Sequence, residues 1–166
     1  ATPDKIKEVF ASCKLVCAGE KHGTIGVLCD EELVEVTTFR KESAYSDFRH
    51  PDKVIFTSQL EEDLARRDFT CNAMAMDFDG NIIDIFGGQI DIKNKLIRCV
   101  GDAEKRFLED ALRVLRAFRF AAQCDFNIEQ HTLDSACALA ENLRFISKER
   151  IFTELVKMLS SPACYK

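Results

Sequence analysis

Residues 109–120 read Glu109-Asp110-Ala111-Leu112-Arg113-Val114-Leu115-Arg116-Ala117-Phe118-Arg119-Phe120. At helical pitch Ala111, Leu115, Phe118 and then Ala122 share one side, while Asp110, Arg113, Arg116 and Arg119, each three apart, trace a slow spiral over the other. The stretch is expected to form one amphipathic helix with its apolar stripe turned into a core. Its polar spiral has two readings. One is a solvated face whose Asp–Arg pair at i,i+3 contributes roughly 0.3 kcal/mol. The other is a set of neighbouring side chains that act together on a ligand.

Outward from this stretch the helical pattern continues in both directions. It begins near Asp102, holds Phe107 and Leu112, and resumes with Ile151, Leu155 and Met158 before Ser160-Ser161-Pro162 stops it. N-terminal of residue 100 the period changes. Thr2-Pro3-Asp4 is a helix start, with a hydroxyl at the cap, proline at the first helical position and an acid in the first turn. Lys14–Cys17, His22–Leu28 and Leu33–Phe39 read as strands of a small, partly antiparallel sheet, separated by Gly19 and the acidic turn Asp30-Glu31-Glu32. Residues 40–53 are too polar for a core and read as a mobile loop. Leu60–Ala75 is expected to be helical with Leu64, Phe69 and Ala73 inward; Phe78-Asp79-Gly80-Asn81 makes a hairpin turn; Gly87-Gly88 ends the strand Ile82–Phe86. A domain boundary is expected near residue 100, between an α/β part and an all-helical part.

The chain has 166 residues, 46% hydrophobic and 31% charged, with no apolar run near the ~20 residues that span a bilayer. A soluble protein is expected. The eight cysteines, at 13, 17, 29, 71, 99, 124, 137 and 164, contain no CxxC and sit mostly in apolar runs, and are expected to be buried thiols of a reducing cytoplasm. Cys13 and Cys17 have a metal-like spacing, but the three histidines, His22, His50 and His131, are scattered and give no second half to a zinc site. A net charge of −5 excludes a surface that grips nucleic acid everywhere, so any RNA contact must be local.

Hydrogen-bond complementarity sharpens the spiral. A carboxylate only accepts and a guanidinium only donates, so Asp110 beside Arg113 matches an edge that offers an amino donor next to a ring-nitrogen acceptor. Cytosine and adenine present that order; guanine and uracil present the reverse and would leave buried groups unpaired. A second segment, Glu61 to Ala75, places Arg66, Arg67, Asp68 and Asn72 within about two helical turns, types that suit a triphosphate and a ribose hydroxyl, or simply a charged helix N-terminus with local ion pairs. Glu35, between Val34 and Val36 in a strand, points away from its apolar neighbours, either to solvent or into a cleft where a metal or a 3′-hydroxyl needs an acid.

Several segments together resemble the class II tRNA nucleotidyltransferase (CCA-adding) and bacterial poly(A) polymerase family: His22-Gly23-Thr24, Val34 to Arg40, Arg49-His50-Pro51, Arg66-Arg67-Asp68-Phe69-Thr70-Cys71-Asn72-Ala73, Asp84 to Gly88, Ile97 to Gly101 and Glu109 to Phe120. The resemblance implies a partial polymerase-β-like α/β nucleotidyltransferase head over residues 1–100 and a helical, nucleotide-templating neck over 101–166. Arg67, Asp68 and Asn72 then resemble the nucleotide- and ribose-binding motif, Asp110 and Arg113 the protein template for the base, and Arg116 and Arg119 further nucleotide contacts. Glu35 resembles the third carboxylate of the catalytic centre. The family's Gly-Gly turn and Asp-x-Asp metal pair would precede Ala1, so the resemblance implies an internal fragment, inactive by itself, of an enzyme that uses CTP, ATP and Mg²⁺ on tRNA 3′ ends. Poly(A) polymerase is the neighbouring reading, and a non-catalytic nucleotide- or RNA-binding module the reading from another class.

Overall fold

The computed structural model describes residues 1–42 and 54–165. These form two compact units, one of residues 1–42 and 54–63 and the other of 64–165.

In the first unit, Pro3 occupies the first turn of α1 (Pro3–Val9), and the Thr2 carbonyl accepts the Ile6 N–H at 2.9 Å, although the Thr2 hydroxyl makes no cap bond. Ile6 packs with Ile25 and Val27 in a small core that Phe10, Cys13, Leu15 and Val36 flank. Strands β1 (Lys14–Val16), β2 (Thr24–Cys29) and β3 (Glu32–Thr37) form the expected antiparallel sheet in that order. The turn between β2 and β3 is two residues long, not three. Asp30 and Glu31 take φ of 45° and 71°, the left-handed pair a tight hairpin requires, and Glu32 already faces Cys29 in the ladder.

Residues 40–42 depart from the expected loop. They form β4 (Arg40–Glu42), paired antiparallel with β5 (Val54–Phe56). Polar side chains do not forbid a two-stranded ribbon, and partners hold this one: the Arg40 N–H donates to Asp63 at 3.1 Å and Lys41 bridges Glu62 at 3.0 Å. The rest of the expected loop lies outside the described residues.

The second unit corrects the helix expected over 60–75. The helix α2 stops at Ala65 (Leu60–Ala65), a 3₁₀ turn follows at Thr70–Asn72, and Met74–Met76 is strand β6. Leu64, Phe69 and Ala73 are all fully buried, as expected. On a continuous helix the five residues from 64 to 69 would turn the chain through about 500°, leaving those two side chains roughly 140° apart. Instead Phe69 is extended and bridges Cys99, with Thr70 N–H on the Arg98 carbonyl at 2.9 Å and Val100 N–H on the Asp68 carbonyl at 3.0 Å. The hairpin to β7 (Ile82–Asp84) turns at Asp77–Gly80, where the Asp77 carboxylate accepts from the Asp79 and Asn81 N–H groups. Helix α3 (Gly88–Lys93) then lies so close that a β-carbon on Gly88 would stand 2.3 Å from the Thr70 carbonyl oxygen.

Residues 109–120 are not one helix. Helix α4 (Ala103–Glu109) ends before Asp110, which is extended at φ −140°, and α5 (Leu112–Cys124) begins after it. The break has a local cause: Asp110 Oδ1 accepts the Leu112 N–H at 3.1 Å, a side-chain bond that competes with helix continuation. A further interruption is the parallel pair β8 (Leu96–Ile97) and β9 (Asn127–Ile128), after which come α6 (Gln130–Ala138) and α7 (Lys148–Leu159), ended by Ser160.

Phe69, Ile97 and Cys99 share one core with Phe107, Val114, Ala117 and Ala136. Packing therefore runs through residue 100 without a break, and the division by compactness falls at 63/64.

The cysteines are not buried as a group: Cys17, Cys29, Cys124, Cys137 and Cys164 are exposed, because apolar neighbours in sequence do not place a thiol on the inward face, and burial sets the chemistry of only two, Cys71 and Cys99. Desolvation pushes Cys99 up to about 12 and Cys71 to about 11, with the Asp68 charge adding to the rise at Cys71. A thiol in the unfolded chain titrates near 9.0. The stability these protons contribute is thus complete below pH ~9 and is lost as pH climbs through the folded values. Iodoacetamide at about pH 8 is expected to alkylate the exposed Cys17, Cys29, Cys124, Cys137 and Cys164 of the native chain and to spare Cys71 and Cys99. Peptide mass spectrometry checks this, and modification of Cys99 at the rate of Cys164 would contradict the packing.

Candidate functional site

Six of the eight candidate residues meet in the second unit. A cleft of about 560 Å³ is lined by Arg66, Arg67, Asp68, Asn72, Asp110, Leu112, Arg113, Arg116, Phe120 and Arg150, a size typical of small-ligand sites. Five arginines face two aspartates there, in a chain whose net charge is −5. The cleft suits a polyanion.

Its floor is Asp68, buried at 7% exposure. One carboxylate oxygen accepts the Phe69 N–H at 2.9 Å and Asn72 Nδ2 at 3.2 Å; the other accepts Arg116 Nε at 2.8 Å and Nη2 at 2.5 Å. A carboxylate has about four acceptor positions, and these four bonds fill them. Asp68 therefore holds Arg116 and Asn72 in place. The Nη1 of Arg116 has no hydrogen-bond partner among the described residues, and its guanidinium lies 5.3 Å from the Phe120 ring centroid. Arg67 is exposed and donates to the Asn72 carbonyl at 3.0 Å.

The wall is built by α4, α5 and the elbow between them. Arg113 donates to the Arg106 carbonyl at 3.1 Å, to Glu109 at 2.7 Å and to the Arg66 carbonyl at 3.0 Å. Arg106 grips the same Glu109 and the Ala65 carbonyl at 3.0 Å. Asp110 sits at the elbow, not on a helical spiral with the arginines, and its Oδ2 accepts from Arg150 at 3.0 Å. Sequence reasoning missed Arg150. Its partner is 40 residues away, and Lys148-Glu149-Arg150 reads only as a charged helix start.

Two candidates lie elsewhere. Arg119 does not line the cleft: it is buried at 7%, its Nε donates to Glu154 and its Nη1 to Gln123, both at 2.5 Å, and its guanidinium stacks 3.9 Å from the Phe120 centroid. Glu35 is in the first unit, exposed on β3 opposite Gly26, on the face away from Ile25 and Val27. Among the described residues no three His, Cys, Asp or Glu side chains converge as a metal site would require. The described residues do not by themselves build the expected Mg²⁺ centre.

Comparison with known proteins places the chain. Residues 1–98 match the model of the poly A polymerase head domain, and residues 125–166 match a model described as the "probable RNA and SrmB-binding site of polymerase A". A CCA-adding enzyme of Lactobacillus helveticus is 52% identical over 162 residues, covering 98% of this chain and 40% of that protein. The crystal structure of Bacillus stearothermophilus CCA-adding enzyme in complex with CTP superposes with a TM-score of 0.89 at 43% identity, over 98% of this chain and 38% of that one. A complex of a CCA-adding enzyme with ATP gives 0.78 at 29% identity, over 97% and 37%. The chain thus spans about 40% of the length of the curated relatives it matches.

The buried Arg119–Glu154 pair gives a test of the wall. Both side chains are under 10% exposed, so Glu154→Gln leaves an uncompensated guanidinium and is expected to cost about 3–5 kcal/mol, whereas a double replacement by apolar side chains of similar volume recovers most of that loss. Urea denaturation of the single and double variants decides; a cost below about 1 kcal/mol for E154Q would mean the pair is solvated.

Proposed function

The chain belongs to the poly A polymerase head-domain family, and from that premise we propose that it selects the nucleotide for a CCA-adding tRNA nucleotidyltransferase, an enzyme that extends tRNA 3′ ends with C and A from CTP and ATP without a nucleic-acid template. The observation that carries this reading is the single cleft that gathers Arg67, Asp68, Asn72, Asp110, Arg113 and Arg116 from segments about 40 residues apart. Relatives named CCA-adding enzymes, one bound to CTP and another to ATP, support it.

In this reading Asp110 accepts from the amino group of cytosine or adenine while Arg113 donates to the adjacent ring nitrogen. Arg113 is preset by its bonds to Glu109 and to two backbone carbonyls, so little orientation is left to lose on binding. Arg67 and Arg116 meet the phosphates, and Asp68 with Asn72 shapes the ribose side of the cleft. Arg119, outside the cleft, supports this set indirectly, by backing the Phe120 ring that Arg116 also approaches. We assign residues 1–100 to the head and 101–166 to the neck by function, although residues 64–100 share one compact unit with the neck. Mg²⁺ would neutralise the leaving pyrophosphate. The described residues do not build its site. Eight unpaired cysteines support work in the reducing cytoplasm, and no helix among the described residues is long and apolar enough to cross a membrane.

The matched family also carries the poly(A) polymerase name, and use of CTP separates the two activities. A chimera in which residues 1–166 replace the matching segment of the Lactobacillus helveticus enzyme is expected to add labelled CTP and ATP to tRNA lacking its 3′ end, and to use UTP and GTP at least ~100-fold less well. Asp110→Asn, which turns one acceptor into a donor, should shrink that preference by at least about tenfold. Equal use of all four nucleotides by the unsubstituted chimera would refute the selection mechanism, and use of ATP alone would point to poly(A) synthesis.

A further inference from the structure

Arg150, in the first turn of α7, is the residue of that helix that lines the cleft, and it does so at a local cost. Its Nη2 donates to Asp110 Oδ2 at 3.0 Å, while its Nη1 is sealed from solvent with no hydrogen-bond partner among the described residues. An unmatched buried donor of this kind destabilises a fold, since its lost hydration is not replaced. A tie between α5 and α7 does not need it, because Arg119 and Glu154, four residues further along α7, already link the two helices with both charges paired. What Arg150 does uniquely is reach the side chain at the elbow.

We propose that Arg150 is a positioning residue for base selection, acting through Asp110. The Asp110 carboxylate is gripped at two points, by the Leu112 N–H through Oδ1 at 3.1 Å and by Arg150 through Oδ2. Two bonds to different oxygens fix both the position of the group and the rotation of its plane. Its remaining lone pairs then face the cleft in one orientation, which is what discrimination between an amino donor and a carbonyl acceptor needs. With either grip missing, the carboxylate turns and accommodates a displaced or reversed base edge. The inference rests on the reading of Asp110 as the base acceptor given above.

The test is equilibrium dialysis of labelled CTP, UTP, ATP and GTP against the 166-residue chain and four variants, R150Q, R150K, D110A and R150Q/D110A, with thermal unfolding followed for each. R150Q is expected to lower the CTP-over-UTP and ATP-over-GTP preferences about tenfold. R150K, which keeps a charge beside Asp110 without the planar two-nitrogen grip, is expected to lower them about threefold. In the D110A background R150Q should change neither preference, because the residue it acts through is gone. A merely structural role would weaken all four nucleotides alike and would persist in that background. Undiminished preference in R150Q, or a further loss when R150Q is added to D110A, overturns the proposal while leaving base selection by Asp110 standing. No preference in the unsubstituted chain overturns both. Should R150Q fail to fold, R150K decides: unchanged preference refutes, a loss of about threefold supports.

Discussion

Where α2 stops, the carbonyls of Ala65 and Arg66 have no further helical turn to bond to, and two guanidinium groups take them. Arg106 reaches the first and Arg113 the second, each at 3.0 Å, and Glu109 lies between the two arginines and accepts from both. Helix ends leave carbonyls that need donors, and cations there also meet the negative end of the helix dipole. One set of bonds therefore stops α2, fixes the start of the segment that carries Arg67, Asp68 and Asn72, and orients Arg113. The cleft is a by-product of how a helix terminus is satisfied.

A second consequence is electrostatic. Among the arginines the cleft gathers, Arg113 is tied to Glu109, Arg116 to Asp68 and Arg150 to Asp110. The tied groups are ordered before a ligand arrives, which lowers the entropy lost on binding. Arg67 is exposed and donates to the Asn72 carbonyl at 3.0 Å. A polyanion thus meets a surface largely set in advance, on a chain that is acidic as a whole.

Much of this was legible in the sequence because it is local. Alternation in β1–β3, proline at the start of α1, the Asp-Gly turn before β7 and the serines after α7 each depend on neighbours within a few residues. The grouping of Arg67, Asp68 and Asn72 with Asp110, Arg113 and Arg116 rested on residue types and on family resemblance, and those residues do line one cleft. The misreadings share a cause. Leu64, Phe69 and Ala73 are inward, as expected, but periodicity could not show that Phe69 pairs as a strand with Cys99, 30 residues on. At Asp110 the apolar period continues through the break, and only the side-chain bond to Leu112 reveals the elbow. Arg119 follows the same three-residue step as Arg113 and Arg116, yet its partner Glu154 lies in a distant helix and draws it inward. Arg150 was invisible for the mirror reason.

Helix α7 presents Arg150 and Glu154 one turn apart, the first to Asp110 and the second to Arg119. Two charge pairs on one helix make its phase about its own axis a shared condition. Losing or gaining a single residue between positions 150 and 154 would swing one of the pair about 100° away from its partner. A single replacement at 110, 150, 119 or 154 therefore strands its partner, and a change of length keeps both pairs only when it falls in the connections that flank α7.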